Sequence, residues 1–239
     1  MPQKRSTRDL KNVRIAAIIL CLLVAIPVAV IALYRYVAPP LTPLMVMRTA
    51  GYGAEPKMPS PSGWRYQWVP LKAIAPTLSR AVIASEDQTF CTHYGFDRDA
   101  FNEAFEKLSA GEPTRGGSTV TQQSAKNVFL WPGRSAIRKV LEAGLTPMLE
   151  LLWGKRRIME VYLNVVEWAP GVYGAQAAAQ FHFHKDASAL TPREAALLAT
   201  VLPNPREWSA SKPGPYVSER SGVIAGRANA VDASCVRGS

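Results

Sequence analysis

Arg-Ala-Val-Ile-Ala-Ser-Glu-Asp-Gln-Thr-Phe-Cys-Thr-His-Tyr-Gly-Phe-Asp, Arg80 to Asp97, is the stretch around which the chain is organised. Ala81, Val82, Ile83 and Ala84 form an apolar run that ends abruptly in Glu86 and Asp87. Phe90, His93 and Gly95 follow. A helix end that presents a carboxylate to a cleft suits acid/base chemistry, because burial against apolar walls raises a carboxylate pKa toward neutrality. The competing reading is a surface helix with two solvated acids. His93 reads as a buried hydrogen-bonding brace beside the Glu86 turn, in preference to a ligand or a base.

A second stretch, Gly116-Gly117-Ser118-Thr119-Val120-Thr121-Gln122-Gln123-Ser124-Ala125-Lys126-Asn127, favours the cleft. Two glycines free the backbone and let a ligand approach closely. Thr119 with Gln122 three residues later fits a capping box, so a helix is predicted to start there. A helix N-terminus after a glycine pair offers free N–H groups to an anion. Gln122 and Lys126 share one helix face, as do Gln123 and Asn127.

Glu-Asp-x-x-Phe-x-x-His-x-Gly at 86–95, joined to Gly-Gly-Ser-Thr-x-Thr-Gln-Gln at 116–123 and Lys-Asn at 126–127, resembles the peptidoglycan glycosyltransferase family, glycosyltransferase family 51. These enzymes polymerise lipid II. The likeness is closest to the monofunctional members and runs from about Trp68 to about Trp208. Arg138-Lys139-x-x-Glu142, taken alone, is a surface ion pair worth about 0.3–0.5 kcal/mol. The resemblance makes it the motif that carries the second cleft carboxylate and a phosphate-side cation. Two positions depart from the family pattern. Ser124 stands where an aliphatic residue is common, and His184 where a small residue usually precedes the lysine.

The bulk numbers agree with one enzyme domain plus an accessory segment. A chain of 239 residues that is 48% hydrophobic can bury a proper core and is not a disordered chain. The net charge of +10 suggests an anionic partner, of which Lys4, Arg5, Arg8, Lys11 and Arg14 against Asp9 supply +4 in the first fourteen residues. No zinc-finger spacing or RNA-binding aromatic signature accompanies the charge, which argues against nucleic acid. Cys21, Cys91 and Cys235 make no framework. The last two could pair in an oxidising compartment, but nothing in their spacing argues for it, and no disulfide is expected.

Residues 15–33 are uncharged and apolar, long enough to match the roughly 30 Å hydrocarbon core. Five cations precede them, so the N-terminus is expected to stay cytoplasmic, with Arg35 a mild counter-signal. The expected organisation is a basic tail at 1–14, a transmembrane anchor at 15–37, a proline-rich membrane-proximal linker at 38–63, and the catalytic domain at 64–239. Within the linker, apolar residues 44–47 either dip into the bilayer or pack on the domain. From residue 71 the chain reads as helices over 76–85, 99–108, 135–153, 155–166, 171–181, 192–202 and 217–233. Pro147 is expected to kink or split its helix, and Thr191 with Glu194 to cap another. Strand patterns are scarce, so the fold class is mainly α. The resemblance implies a lysozyme-like helical domain behind an N-terminal transmembrane helix.

The implied reaction transfers a growing glycan from its lipid pyrophosphate to the sugar hydroxyl of one lipid II, with inversion. The implied site has Glu86 as general base and Glu142 as the second catalytic carboxylate, acting as acid, metal ligand or cation-positioning group. Lys126, Arg134, Arg138 and Lys139 meet the pyrophosphate. Ser118, Thr119, Gln122 and Asn127 complete the substrate-binding set. Flanked by two cations, Glu142 is expected to be the more firmly ionised glutamate. No cofactor is required and no metal site is assigned, though a divalent Mg or Mn is compatible. Expected partners are lipid II, the growing strand, the membrane and other cell-wall synthesis proteins. The expected location is the bacterial inner membrane, single-pass, with the domain outside. Lys155-x-x-Ile-Met-Glu160-Val-Tyr-Leu-Asn164 reads as structural, with Glu160 pairing to Arg156. Residues 171–179 and 190–199 read as close packing by small residues. His182-x-His184 lacks a third metal ligand nearby. Ser209-x-x-Lys212 has no transpeptidase domain around it. The rivals are a lysozyme-like hydrolase, which would cut finished glycan, and a non-catalytic wall-binding protein, which would bind lipid II without turnover.

Overall fold

The structure is a computed structural model and describes residues 7–52, 63–99, 102, 106, 117–133 and 135–237. Gly116, Arg134 and most of the helix expected over 99–108 lie outside the described residues. The chain divides into two compact units, residues 1–37 and 38–239. The first holds α1 (Thr7–Tyr34), with Pro27 inside it. Ile15, Ile18, Ile19, Leu22, Ile26 and Leu33 are each at least half exposed on it. Among the described residues no helix is long and apolar enough to cross a membrane, so the anchor read at 15–33 rests on the sequence.

The second unit is built on α3 (Pro76–Glu86). Pro76 suits its first turn, where no intrahelical N–H is needed. Leu78, Ala81, Val82, Ile83 and Ala84 are buried. They pack against α7 (Pro192–Val201) and α8 (Pro215–Ala228). Arg80 ties α3 to the end of α8, with Nε and Nη2 donating to the Ala228 and Asn229 carbonyls at 2.8 Å each. The capping box expected at Thr191 and Glu194 is present.

Beside this layer, α4 (Val120–Phe129) packs along α5 (Ala136–Val165). The expected division of α5 falls at Gly154, whose φ of 71° and ψ of 165° leave the helical region, and not at Pro147, which stays within the helix. Glycine takes that turn without the steric cost any L side chain meets at positive φ. The apolar residues within the linker form α2 (Pro43–Thr49). Leu44 and Met45 are buried and Val46 is half exposed, so this short helix packs on the domain through one side.

Three strands were not expected. β1 (Arg65–Tyr66), β2 (Glu167–Ala169) and β3 (Val172–Tyr173) make a small sheet in the order β1-β3-β2, parallel then antiparallel. The helix read from residue 171 starts later, as α6 (Ala175–Phe183). Strands this short cannot show a period-two alternation. Gly174 sits at φ +85°, where a Cβ would come within 2.7 Å of the Asn164 carbonyl oxygen. Ala177, Ala178 and Ala179 are buried, consistent with close packing by small residues. His184 ends α6 in the left-handed region, φ 57° and ψ 37°. This conformation costs a side chain more than a glycine.

Two other expectations fail. Cys91 and Cys235 form a disulfide, with Cα atoms 5.5 Å apart and 144 residues between them in sequence. A separation that long carries no spacing signal, and a bond of this kind commonly contributes about 2–4 kcal/mol. Glu160 pairs with Arg157, not Arg156. Both arginines lie within reach on the helix, but only Arg157 also stacks over Trp68, at 5.0 Å. Glu160 Oε2 accepts the Leu71 N–H at 3.0 Å, and the Asn164 amide brackets Val69 at 2.9 and 3.0 Å. The motif at 155–164 therefore clasps α5 to the segment entering α3.

His182 is buried, with ring nitrogens 3.4 Å from the Trp168 carbonyl and 3.5 Å from Ser211 Oγ. Burial pushes its pKa from 6.5 down to about 4. A base held neutral in this way adds stability that is complete above 6.5 and lost as the pH falls through about 4. Denaturant titrations should show up to about 3 kcal/mol lost over that window from this group. A His182→Gln variant should lose less stability over the same window. An identical pH dependence in the two proteins would exclude His182 as its source.

Candidate active site

Glu86 is the last residue of α3. Gln123 Nε2 donates to its Oε2 at 2.9 Å, and Ser85 Oγ donates to Oε1 at 3.1 Å. Tyr162 OH in turn donates to Gln123 Oε1 at 3.1 Å, which fixes the amide's orientation. Burial pushes the Glu86 pKa up, with Asp87 adding to it. The two hydrogen bonds and the Lys126 charge pull the other way, and the net direction is up. A carboxylate at a helix C-terminus also faces the negative end of the dipole. Tyr162 stays a neutral donor because burial and the Glu86 and Asp87 carboxylates raise its pKa.

Asp87 does structural work at the same turn. Its Oδ2 accepts the Val120 N–H at the start of α4, 2.9 Å away, and its Oδ1 lies 2.8 Å from His93 Nε2. Gly95 N–H donates to His93 Nδ1 at 3.0 Å. That nitrogen is therefore the bare one, and Nε2 carries the proton that Asp87 receives. His93 is the brace read from the sequence. Gly95, at φ +86°, lies against α5, where a Cβ would come within 2.7 Å of Thr146 Cγ2. In Asp87→Asn one of the two donors meets an N–H instead of an oxygen, and the ring cannot switch tautomer without losing Gly95. We expect about 1–3 kcal/mol of lost stability and a smaller loss of turnover than at Glu86 itself. An unchanged melting temperature would contradict this.

The loop before α4 is built by the predicted capping box. Thr119 Oγ1 accepts from Gln122 N–H at 3.2 Å, and Gln122 Oε1 accepts from Thr119 N–H at 2.9 Å. Thr119 Oγ1 also donates to the Gly95 carbonyl at 2.7 Å, joining the two motifs. Thr119 and Gln122 are buried and hold the loop, while Ser118 is half-buried. Asn127 is buried on α4, at 3% exposure.

Ser135 caps α5 through the Arg138 N–H at 3.1 Å. Arg138 Nη1 donates to Glu142 Oε2 at 2.7 Å, and its Nε to the Gly133 carbonyl at 2.9 Å. Lys139 Nζ donates to Glu142 Oε1 and, at 3.2 Å, to Ser118 Oγ. Each Glu142 oxygen thus meets a cation, and Glu142 itself is 3% exposed. Lys126 lies where the charges of Glu142, Arg138, Glu86 and Lys139 all act on it. Burial first, then the neighbouring Arg138 and Lys139, lower its pKa. An incoming anion would compensate that cation.

A cavity of about 340 Å³ opens beside Glu86, lined by Glu86, Asp87, Asp97, Asp99, Gly117 and Ser118 among others; Lys126, Arg138, Lys139 and Glu142 stand outside that lining. Lys126, on which Glu86, Glu142, Arg138 and Lys139 all act, and the Lys139–Ser118 hydrogen bond bring Glu86, Ser118, Lys126, Arg138, Lys139 and Glu142 to one region. Arg134 lies outside the described residues. Ser85, Asp87, Gln123 and Tyr162 belong to the site but were not singled out for it in the sequence. The Gln-Gln pair was the available signal for Gln123, whose carboxylate partner lies 37 residues away. Among the described residues no group of three or more His, Cys, Asp or Glu is arranged to hold a metal.

Residues 58–229 match the family described as Transglycosylase. A biosynthetic peptidoglycan transglycosylase of Caulobacter vibrioides is 47% identical over 225 residues, which cover 94% of this chain and 93% of that one. One from Rhodospirillum centenum is 50% identical over 208 residues, 87% of each chain. One from Pseudomonas syringae pv. syringae is 52% identical over 197 residues, 82% of each.

Proposed function

This chain belongs to the transglycosylase family, and from that premise we propose that it extends glycan strands with Glu86 as general base and Glu142 as the holder of the cations. It is a peptidoglycan glycosyltransferase of cell-wall synthesis. Lipid II and the growing strand are its substrates. Glu86 takes the proton of the acceptor hydroxyl as that oxygen bonds to the anomeric carbon. The bond from that carbon to the pyrophosphate oxygen breaks, its electron pair leaving with the pyrophosphate. Attack from the opposite face inverts the configuration. Lys126 and Lys139, with Arg138 and Arg134, stabilise the charge that develops on the leaving group, as preorganised cations do without reorganising. Both Glu142 oxygens engage cations, which supports positioning over acid or metal-ligand roles. A divalent ion there would have to displace one of them.

The observation that carries this reading is the asymmetry of the two glutamates. Glu86 is held by neutral donors with a raised pKa, and Glu142 lies between Arg138 and Lys139. Purified protein given lipid II should make polymer and leave finished glycan uncut. Cleavage of the glycan would instead favour a lysozyme-like hydrolase.

We place the enzyme at the inner membrane, anchored through residues 15–33, with its domain outside the cytoplasm. Apolar length, the preceding cations and the Cys91–Cys235 disulfide, which persists in oxidising compartments, support that placement. So does the apolar stripe of Ile137, Val140, Leu141 and Leu151 exposed on α5, which suits a surface lying against lipid. A C-terminal topology reporter should signal outside the cytoplasm; a cytoplasmic signal would refute it.

A further inference from the structure

A cavity of about 460 Å³ lies against the N-terminal turn of α3, at Pro76, Ser79 and Arg80. Glu86 is at the other end of the helix, about 15 Å away along its axis. Leu71, Ile74, Ala233 and Val236 supply apolar walls, each of them buried. Lys72, Arg80, Arg156 and Arg237 supply cations, and among the described residues no acidic one lines the cavity.

The balance of charge at this place is not met from within. Arg80 donates to the Ala228 and Asn229 carbonyls, and among the described residues no carboxylate pairs with it. Lys72 and Arg156 are exposed. Glu160, the carboxylate nearest Arg156 in sequence on that helix face, is taken by Arg157. Asp232 acts on Arg237 from outside the lining. The segment carrying Ala233 and Val236 is tied to residue 91 by the Cys91–Cys235 bond.

Apolar walls exclude a wholly hydrated ion, and a cationic rim disfavours a neutral hydrocarbon. The volume is that of a small-molecule site and not of a flat protein interface. Guanidinium groups match phosphate and carboxylate oxygens. Among the described residues no aromatic ring lines the cavity for stacking of bases. We propose that this cavity is a second binding site, for a small amphiphile carrying a phosphate or carboxylate head on an apolar body. The proposal does not depend on the chemistry at Glu86.

The test uses the full chain in zwitterionic nanodiscs with methyl-labelled isoleucine, following the Ile74 signal assigned through Ile74→Val. Octyl phosphate and octanoate are titrated against inorganic phosphate, octyl glucoside and a short acidic peptide containing leucine. Saturable movement of Ile74 with either octyl anion is expected, whichever head binds better. In the Lys72→Ala/Arg156→Ala double variant binding should weaken about tenfold, with polymerisation unchanged. A Trp at position 233, made by Ala233→Trp, should block binding sterically while the disulfide still forms. Equal movement with inorganic phosphate, equal movement with octyl glucoside, tighter binding of the peptide, or an unmoved Ile74 would each overturn the proposal.

Discussion

Glu86→Gln should lower polymerisation by at least about a hundredfold while lipid II still binds. Glutamine keeps the size of the side chain and an oxygen able to accept from Gln123 Nε2, the 2.9 Å contact that aims the carboxylate. It loses the capacity to take a proton at working pH and the second acceptor oxygen, the one facing Ser85 Oγ, a hydroxyl that also reaches the Ala199 carbonyl at 3.3 Å. The fold should not suffer. A carboxyl whose folded pKa is raised stabilises the folded state at low pH and loses that contribution as the pH rises through the folded value. Above that value the glutamine variant should therefore melt no lower than the parent protein. The parent should catch up as the pH falls. Single-turnover polymerisation, lipid II binding and melting temperature measured together separate a lost base from a lost fold. Near-normal polymer would remove Glu86 from the mechanism whatever the family.

Lys126→Ala should cost about ten- to a hundredfold in turnover, the equivalent of one charge-assisted contact of about 1.5–3 kcal/mol. The loss should fall on turnover more than on binding, because the charge on the pyrophosphate grows as its bond to carbon breaks. Lys126 is the cation on which both glutamates act. Its removal also withdraws a charge that lowers the Glu86 pKa, so the variant's base should titrate higher. Lys126→Arg keeps the charge and should recover part of the loss. Turnover equal to the parent protein's would take Lys126 out of the site.

What the sequence made legible was local. The end of α3 near Glu86 and the Thr119–Gln122 and Thr191–Glu194 caps all rest on residues within a turn of one another. His93 could be read as a brace because the Glu86 turn lies only a few residues away. The partners that position the site are distant. Gln123 reaches Glu86 across 37 residues, Asp87 reaches Val120 across 33, and Cys91 reaches Cys235 across 144. No periodicity encodes such pairings. The family motifs bring the right residues to notice without saying which touch. Thr119 and Gln122 illustrate the difference: both sit in a motif of the substrate loop, and their polar groups are engaged in holding that loop together. The choice of Arg157 over Arg156 turned on Trp68, a ring that no helical spacing reveals.

The central claim is that Glu86 accepts the proton. It is tested most directly by the single-turnover rate of lipid II polymerisation as a function of pH, in the parent protein and in Lys126→Ala. The rate should fall on the acidic side with a midpoint above 4.5, the ordinary value for the group, and that midpoint should move to higher pH in the variant. An acidic limb at or below 4.5, or one that stays in place when Lys126 is removed, would contradict it.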